Sequence, residues 1–178
     1  DYSEIVFHVK FNENDTTLQQ ETLGGLGVNL IYGAFNYADN PRRLIESLYD
    51  DISTDNVEID MIDFSGPAFT YVDNRLMSLQ LVKNGMTDAV IFNPQGNNML
   101  PADILYKKNI FAVRGSFRPV TLVNIDMFEK GLEMFMKDSE CSIDEKEVLF
   151  EITISNLRAS GDIDERDFLD RVDVLAKL

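Results

Sequence analysis

The chain has 178 residues, of which 31 are acidic, 16 are basic and 44% are hydrophobic, so it carries a formal net charge of −15. That length and apolar content suffice for one folded core, and apolar residues are too plentiful for a disordered chain. The charge argues against nucleic acid and membrane as partners, because phosphate backbones and anionic lipid both require Lys and Arg on the contact surface.

In chain order, residues 4–11 (EIVFHVKF) are β-branched and aromatic and predict a strand. From Asp15 the apolar period lengthens to three and four residues. Leu23, Leu26, Leu30, Ala34 and Tyr37 are joined by Val28, Ile31 and Phe35, which predicts a buried helix over 23–37, apolar nearly all round. At 13 residues the apolar core of this stretch, 23–35, is far short of a bilayer span, which needs about 20. Asn40-Pro41 supplies a cap and a first-turn proline for a helix through Leu44, Leu48 and Ile52. Residues 57–64 predict a strand, closed by Ser65-Gly66-Pro67. Val72, Leu76, Leu79 and Val82 predict a helix, with Asp73 as its cap and Asn84-Gly85 as its end. Short strands follow at 87–92, 110–113 and 120–124, separated by the loop 93–100 and a helical turn at Pro101. Asp126 and Glu129 have capping-box spacing for a helix through Phe128, Leu132 and Phe135. Residues 137–147 read as an exposed acidic loop, 147–157 as the longest strand, and Asp164 as the opening of a last helix.

Strands alternating with helices, several of them apolar without strict alternation, predict an α/β fold: a mainly parallel sheet with helices on both faces, in a single domain over 1–178. The chain starts at Asp1 and stops at Leu178 inside a helical pattern, so an excerpt of a longer protein is expected. The lone cysteine, Cys141, lies among acids, reads as an ordinary loop residue and points to a reducing, cytoplasmic setting for a soluble protein. The run Gly25-x-Gly27 lacks the third glycine of a dinucleotide fingerprint and follows a helical pattern. No phosphate loop is present, and His8 alone cannot build a polyhistidine zinc site.

Ligands of open α/β sheets bind beyond the carboxyl ends of the strands. Those ends collect Asp63 and Ser65, then Asn93 and Gly96, then Arg114, Gly115, Ser116, Arg118 and Thr121, then Asn124 and Asp126. In a chain poor in cations, Arg114 and Arg118 flanking a glycine and a serine have the makings of an anion site. Guanidinium forks match phosphate or carboxylate oxygens, and Arg75 would add a third contact if turned inward. The same arginines would serve equally to pair with some of the 31 acids. Asp63 is the candidate catalytic residue, as a general base or a Mg²⁺ ligand. Asp60, three positions away on a strand of period two, points to the opposite face. No metal site beyond that single carboxylate is expected.

The strings LGVNLIYG (26–33), VDNRLMSL (72–79), RGSFRPVT (114–121) and DFLDRVD (167–173) resemble a family of longer, largely uncharacterised bacterial proteins often labelled nicotinate-nucleotide adenylyltransferase or TonB-dependent receptor. The first label implies a His-x-Gly-His phosphate motif, and this chain has one histidine. The second implies a secretion signal and a long barrel of alternating strands, which the sequence lacks.

Two functions are therefore expected. One is a soluble enzyme, or part of one, that binds a phosphorylated or nucleotide-like small anion at residues 114–121. The other is a non-catalytic structural or assembly domain that uses the apolar helix 23–37, with a homo-oligomer as its natural product.

Overall fold

A computed structural model describes residues 2–137, 142, 145–159 and 161–178. The chain expected to form one domain makes its contacts in two compact units, Asp1–Asn93 with Asn97–Leu100 and Pro94–Gly96 with Pro101–Leu178.

In the first unit, strands β1 (Glu4–Phe11) and β2 (Val57–Ser65) pair antiparallel. Between them run helices α1 (Thr16–Asn36) and α2 (Pro41–Ser47). Asp15 starts α1 by accepting from the backbone N–H groups of Thr17 and Leu18, and Asn40 starts α2 by accepting from Arg43 N. Helix α3 (Asn74–Lys83) follows, capped by Asp73, and Gly85 takes the positive φ that ends it. Leu26, Leu44, Ile45, Leu48, Val57, Ile59, Ile62 and Leu81 are sealed from water between the helices and one face of β1–β2. Gly33 permits this packing, since a Cβ there would lie 3.0 Å from Ser47 Oγ and 3.1 Å from Leu44 Cγ. Two-residue strands β3 (Ile91–Phe92) and β4 (Asn98–Met99) form a small antiparallel hairpin.

The second unit holds α4 (Pro101–Leu105), β5 (Asn109–Arg114), α5 (Leu122–Lys137), β6 (Lys146–Glu151), α6 (Ile154–Leu157) and α7 (Glu165–Leu175). Strands β5 and β6 pair parallel. Phe111, Phe117, Phe128, Phe135 and Phe150 form its aromatic core, with ring centroids 4.9–6.2 Å apart.

The α/β character is as expected, but the large parallel sheet is not: the described strands form three two-stranded sheets, and only β5–β6 is parallel. The cause is the number of helices between partners. One helix, α5, returns the chain to the start of β5 and makes a parallel pair. Two helices, α1 and α2, carry it out and back, so β2 must run against β1. The strand expected at 120–124 is instead the start of α5. Thr121 and Asn124 cap it reciprocally, Asn124 Oδ1 accepting from Thr121 N at 2.9 Å and Asn124 N donating to Thr121 Oγ1 at 3.3 Å. The strand expected at 147–157 stops at Glu151, because Thr153 caps α6. Cys141 and part of the acidic run 137–147 lie outside the described residues.

Helix α1 is also not buried all round. Thr22, Leu26 and Gly33 are buried on one side, while Val28, Ile31 and Phe35 on the opposite side are 66%, 62% and 87% exposed.

Candidate functional site

The loop after β5 is held by its own neighbours. Arg114 stands opposite Glu151 in the β5–β6 register and its Nη2 lies 2.9 Å from Glu151 Oε1, a solvent-exposed pair worth little in stability. Gly115 N donates to Glu151 O at 3.1 Å. Ser116 O accepts from Arg171 Nη1 at 3.0 Å, and Phe117 is buried, with its ring edge-on to Phe150. Arg118 Nε lies 3.0 Å from Asp167 Oδ1, and Arg171 holds the other oxygen of the same carboxylate. Two guanidinium groups thus converge on one internal carboxylate at the place where an external anion was expected. Arg171 is 4% exposed and its Nε finds no acceptor among the described residues. Thr121 and Asn124 spend their side chains on the α5 cap, and Asp126 is exposed in the second turn of that helix.

In the first unit, Asp63 faces away from the core and accepts from Asn74 Nδ2 at 2.7 Å. Asn74 also clasps the edge of β2, accepting from Phe64 N and donating to Phe64 O. Burial, with the Glu4 carboxylate as a lesser cause, pushes the Asp63 carboxyl above the usual aspartate range. Ser65 is exposed opposite Glu4. Arg75 forks onto Asp73, Nε to Oδ1 at 3.0 Å and Nη2 to Oδ2 at 2.7 Å, and holds that carboxyl below the usual range. Asn93 closes the β3–β4 turn by accepting from Asn97 N, and Gly96 supplies its positive φ. Asp63, Ser65, Arg75 and Asn93 belong to the first unit, and Gly96 with Arg114–Asp126 to the second, so neither unit contains the whole expected set.

Two features were missed by reading the sequence, and a third was seen only in part, since helix 23–37 was expected as an apolar contact helix without its covered and open faces being told apart. Asp167 and Arg171 are four apart on α7, a spacing that signals an ion pair, and only the fold adds Arg118 to it. The second is a bulge in β2. His8 pairs with Met61 and Val9 with Ile59, leaving Asp60 as the extra residue. Asp60 is thereby turned toward His8 and accepts from His8 Nδ1 at 2.6 Å, whereas strict alternation would have separated it from that face. No local sequence signal marks such a bulge.

The third is the outward face of α1. Val28, Ile31 and Phe35 follow Gly24 at spacings of four, three and four, one continuous stripe on a helix of 3.6 residues per turn. Leu23 and Tyr32, each about half exposed, flank it. A Cβ placed at Gly24 or Gly27 would touch nothing within 4 Å, so the stripe is open along its length. Glu21 is the single charged residue among the 21 of α1.

An open groove of about 330 Å³ in the first unit is lined by Glu46, Tyr49, Thr54, Asn84 and Met86, none of them expected site residues. Burial pushes the Tyr49 phenol up to about 12, and its hydroxyl donates to Val57 O, so it stays neutral there. Among the described residues no three His, Cys, Asp or Glu gather to hold a metal ion, and no helix is long and apolar enough to cross a membrane.

Comparisons with protein-family models, with curated proteins and with solved structures each give no match.

Proposed function

We propose that this chain is an assembly module that pairs with a second copy of itself through the outward face of α1. The observation that carries this reading is the stripe Val28–Ile31–Phe35, large apolar side chains exposed in line on a regular helix. Contiguous exposed apolar surface of this kind marks an interaction site. The five exposed side chains, 53–87% accessible, offer roughly 500 Å² per copy, on the order of 1,000 Å² for two copies, the lower bound for a specific interface.

Charge selects the second copy as occupant. Two molecules of charge −15 repel wherever their acidic surfaces meet, and α1, with one charge in 21 residues, is a face on which they can meet without burying like charges. The anion-binding reading has less support. Arg114, Arg118 and Arg75 each face a carboxylate of their own chain, and a ligand would have to displace Asp167 or Glu151.

The triple variant Val28→Ser, Ile31→Ser, Phe35→Ser tests the reading. None of the three is buried, so far-ultraviolet circular dichroism and the melting temperature should stay near those of the unaltered chain. Self-association in sedimentation velocity should weaken by roughly a hundredfold or more, since burying each such side chain is worth up to about 1.5–3 kcal/mol and tenfold in affinity takes about 1.4. An unaltered chain that stays monomeric over a wide concentration range, with the amides of residues 23–37 protected from exchange in that monomer, would sink the idea.

A further inference from the structure

Resting on that self-pairing, we infer that the two α1 helices meet antiparallel about a two-fold axis between Val28 and Ile31, with Phe35 of each copy seated over Gly24 of the other. Two independent features of the helix select this direction over the parallel one.

The first is the order of sizes along the stripe. It runs Gly24, Val28, Ile31, Phe35, from no side chain to the largest. Parallel pairing sets Gly24 against Gly24 and Phe35 against Phe35, a gap at one end and two colliding rings at the other. Antiparallel pairing sets Phe35 against Gly24 and Val28 against Ile31, so each layer holds a similar volume. Phe35 is the most exposed side chain of the stripe at 87%, and the space above Gly24 and Gly27 is clear of other atoms, as a receiving site requires.

The second is the charge at the two ends. Glu13 and Asp15 lie just before the start of α1, and Glu21 lies in its second turn. Just beyond its other end Arg42 and Arg43 are balanced by Asp39 and Glu46, with Arg43 Nη1 3.2 Å from Glu46 Oε2, so that end carries no net charge. Antiparallel pairing brings the acidic end of each copy to the uncharged end of the other, and it also opposes the helix dipoles. Parallel pairing brings acid to acid. The antiparallel pair is thus the isologous contact, with each copy contributing the same surface, that keeps the two acidic ends apart.

Disulfide trapping reads the direction. In a Cys141→Ser background, chains carrying Gly24→Cys and chains carrying Phe35→Cys are oxidised separately and as a mixture. In the antiparallel pair the two copies of residue 24 stand about 16 Å apart, eleven residues of rise, beyond the roughly 7 Å that a disulfide tolerates between Cα atoms. The expected result is a covalent dimer that forms at least tenfold faster in the mixture than in either variant alone. Glu21→Cys mixed with Ala38→Cys reads the same register while leaving all five exposed side chains of the stripe in place, and it decides the matter if Phe35→Cys weakens the pair. Fast 24–24 or 35–35 bridges would overturn the antiparallel direction while self-association stands. Mixtures that sediment as dimers yet form neither bridge would likewise overturn it. A reduced, unaltered chain that sediments only as a monomer would overturn the self-pairing itself, and this inference with it.

Discussion

Single side chains in the first unit carry opposite pH signatures. Burial, aided by Glu4, raises the Asp63 carboxyl, so its contribution to stability is full below the ordinary aspartate value of about 3.9 and is lost as pH rises through the higher folded value. The hydrogen bond and charge of Arg75 depress the Asp73 carboxyl, so its contribution is full above about pH 3.9 and is lost as pH falls through the lower folded value. Asp63→Asn should therefore melt above the unaltered chain at pH 7, by a few degrees at most, and converge with it in acid. Asp73→Asn, which retains an oxygen for the α3 cap, should melt below it at pH 7 and converge only at strongly acidic pH. Thermal melts from pH 3 to pH 7 check both, and parallel curves for the two variants would refute the assignments. The Asp73 cap was legible in the sequence because a cap reaches only two or three residues. The Glu4 carboxylate beside Asp63 was not, because a register between β1 and β2 brings it there.

At the scale of elements, the contact of α1 with α2 depends on what is absent at Gly33. An alanine Cβ would need Leu44 and Ser47 to yield by a few tenths of an ångström, and the gain in helix propensity of about 1 kcal/mol offsets much of that. Valine adds two methyl groups against fully buried neighbours, and overpacking of this kind costs about 1–3 kcal/mol. Urea unfolding should find Gly33→Ala near neutral and Gly33→Val destabilised by about 2 kcal/mol or more; equal midpoints would show that the helices separate easily. The same helix shows how far periodicity reaches. Apolar residues at three- and four-residue spacing located α1, although the helix expected over 23–37 begins seven residues earlier, at Thr16. Periodicity could not tell that one apolar face is covered and the other is not, because coverage depends on how many partners the fold supplies.

Across the whole molecule the packing is uneven. The side chains most completely sealed from water lie in the first unit, while the buried aromatics of the second, Phe117, Phe128 and Phe168, retain 5–8% exposure. Local opening free energy follows buried apolar contact. Native-state hydrogen exchange should therefore find β2 and α2 the slowest to exchange, and the amides of β5 and β6 faster by about tenfold or more, since 1.4 kcal/mol already gives that factor. Equal protection in the two units would contradict this. The charge of −15 acts at this scale as well, and the self-pairing proposed through α1 is the arrangement that keeps it out of the contact.

The sequence by itself determined the acidic character, the α/β class, the strands at 4–11 and 57–64, and the helix starts at Asn40, Asp73 and Asp164. All of these arise from composition or from interactions a few residues long. Only the tertiary structure decided that β2 runs against β1, that Asp60 turns to His8 at a bulge, that Arg118 and Arg171 share Asp167, and that the outer stripe of α1 stays open. Each of those joins groups far apart in the chain, or depends on whether any group arrives at all. The energy of such contacts is set by the packing of whole elements, which local pattern does not encode.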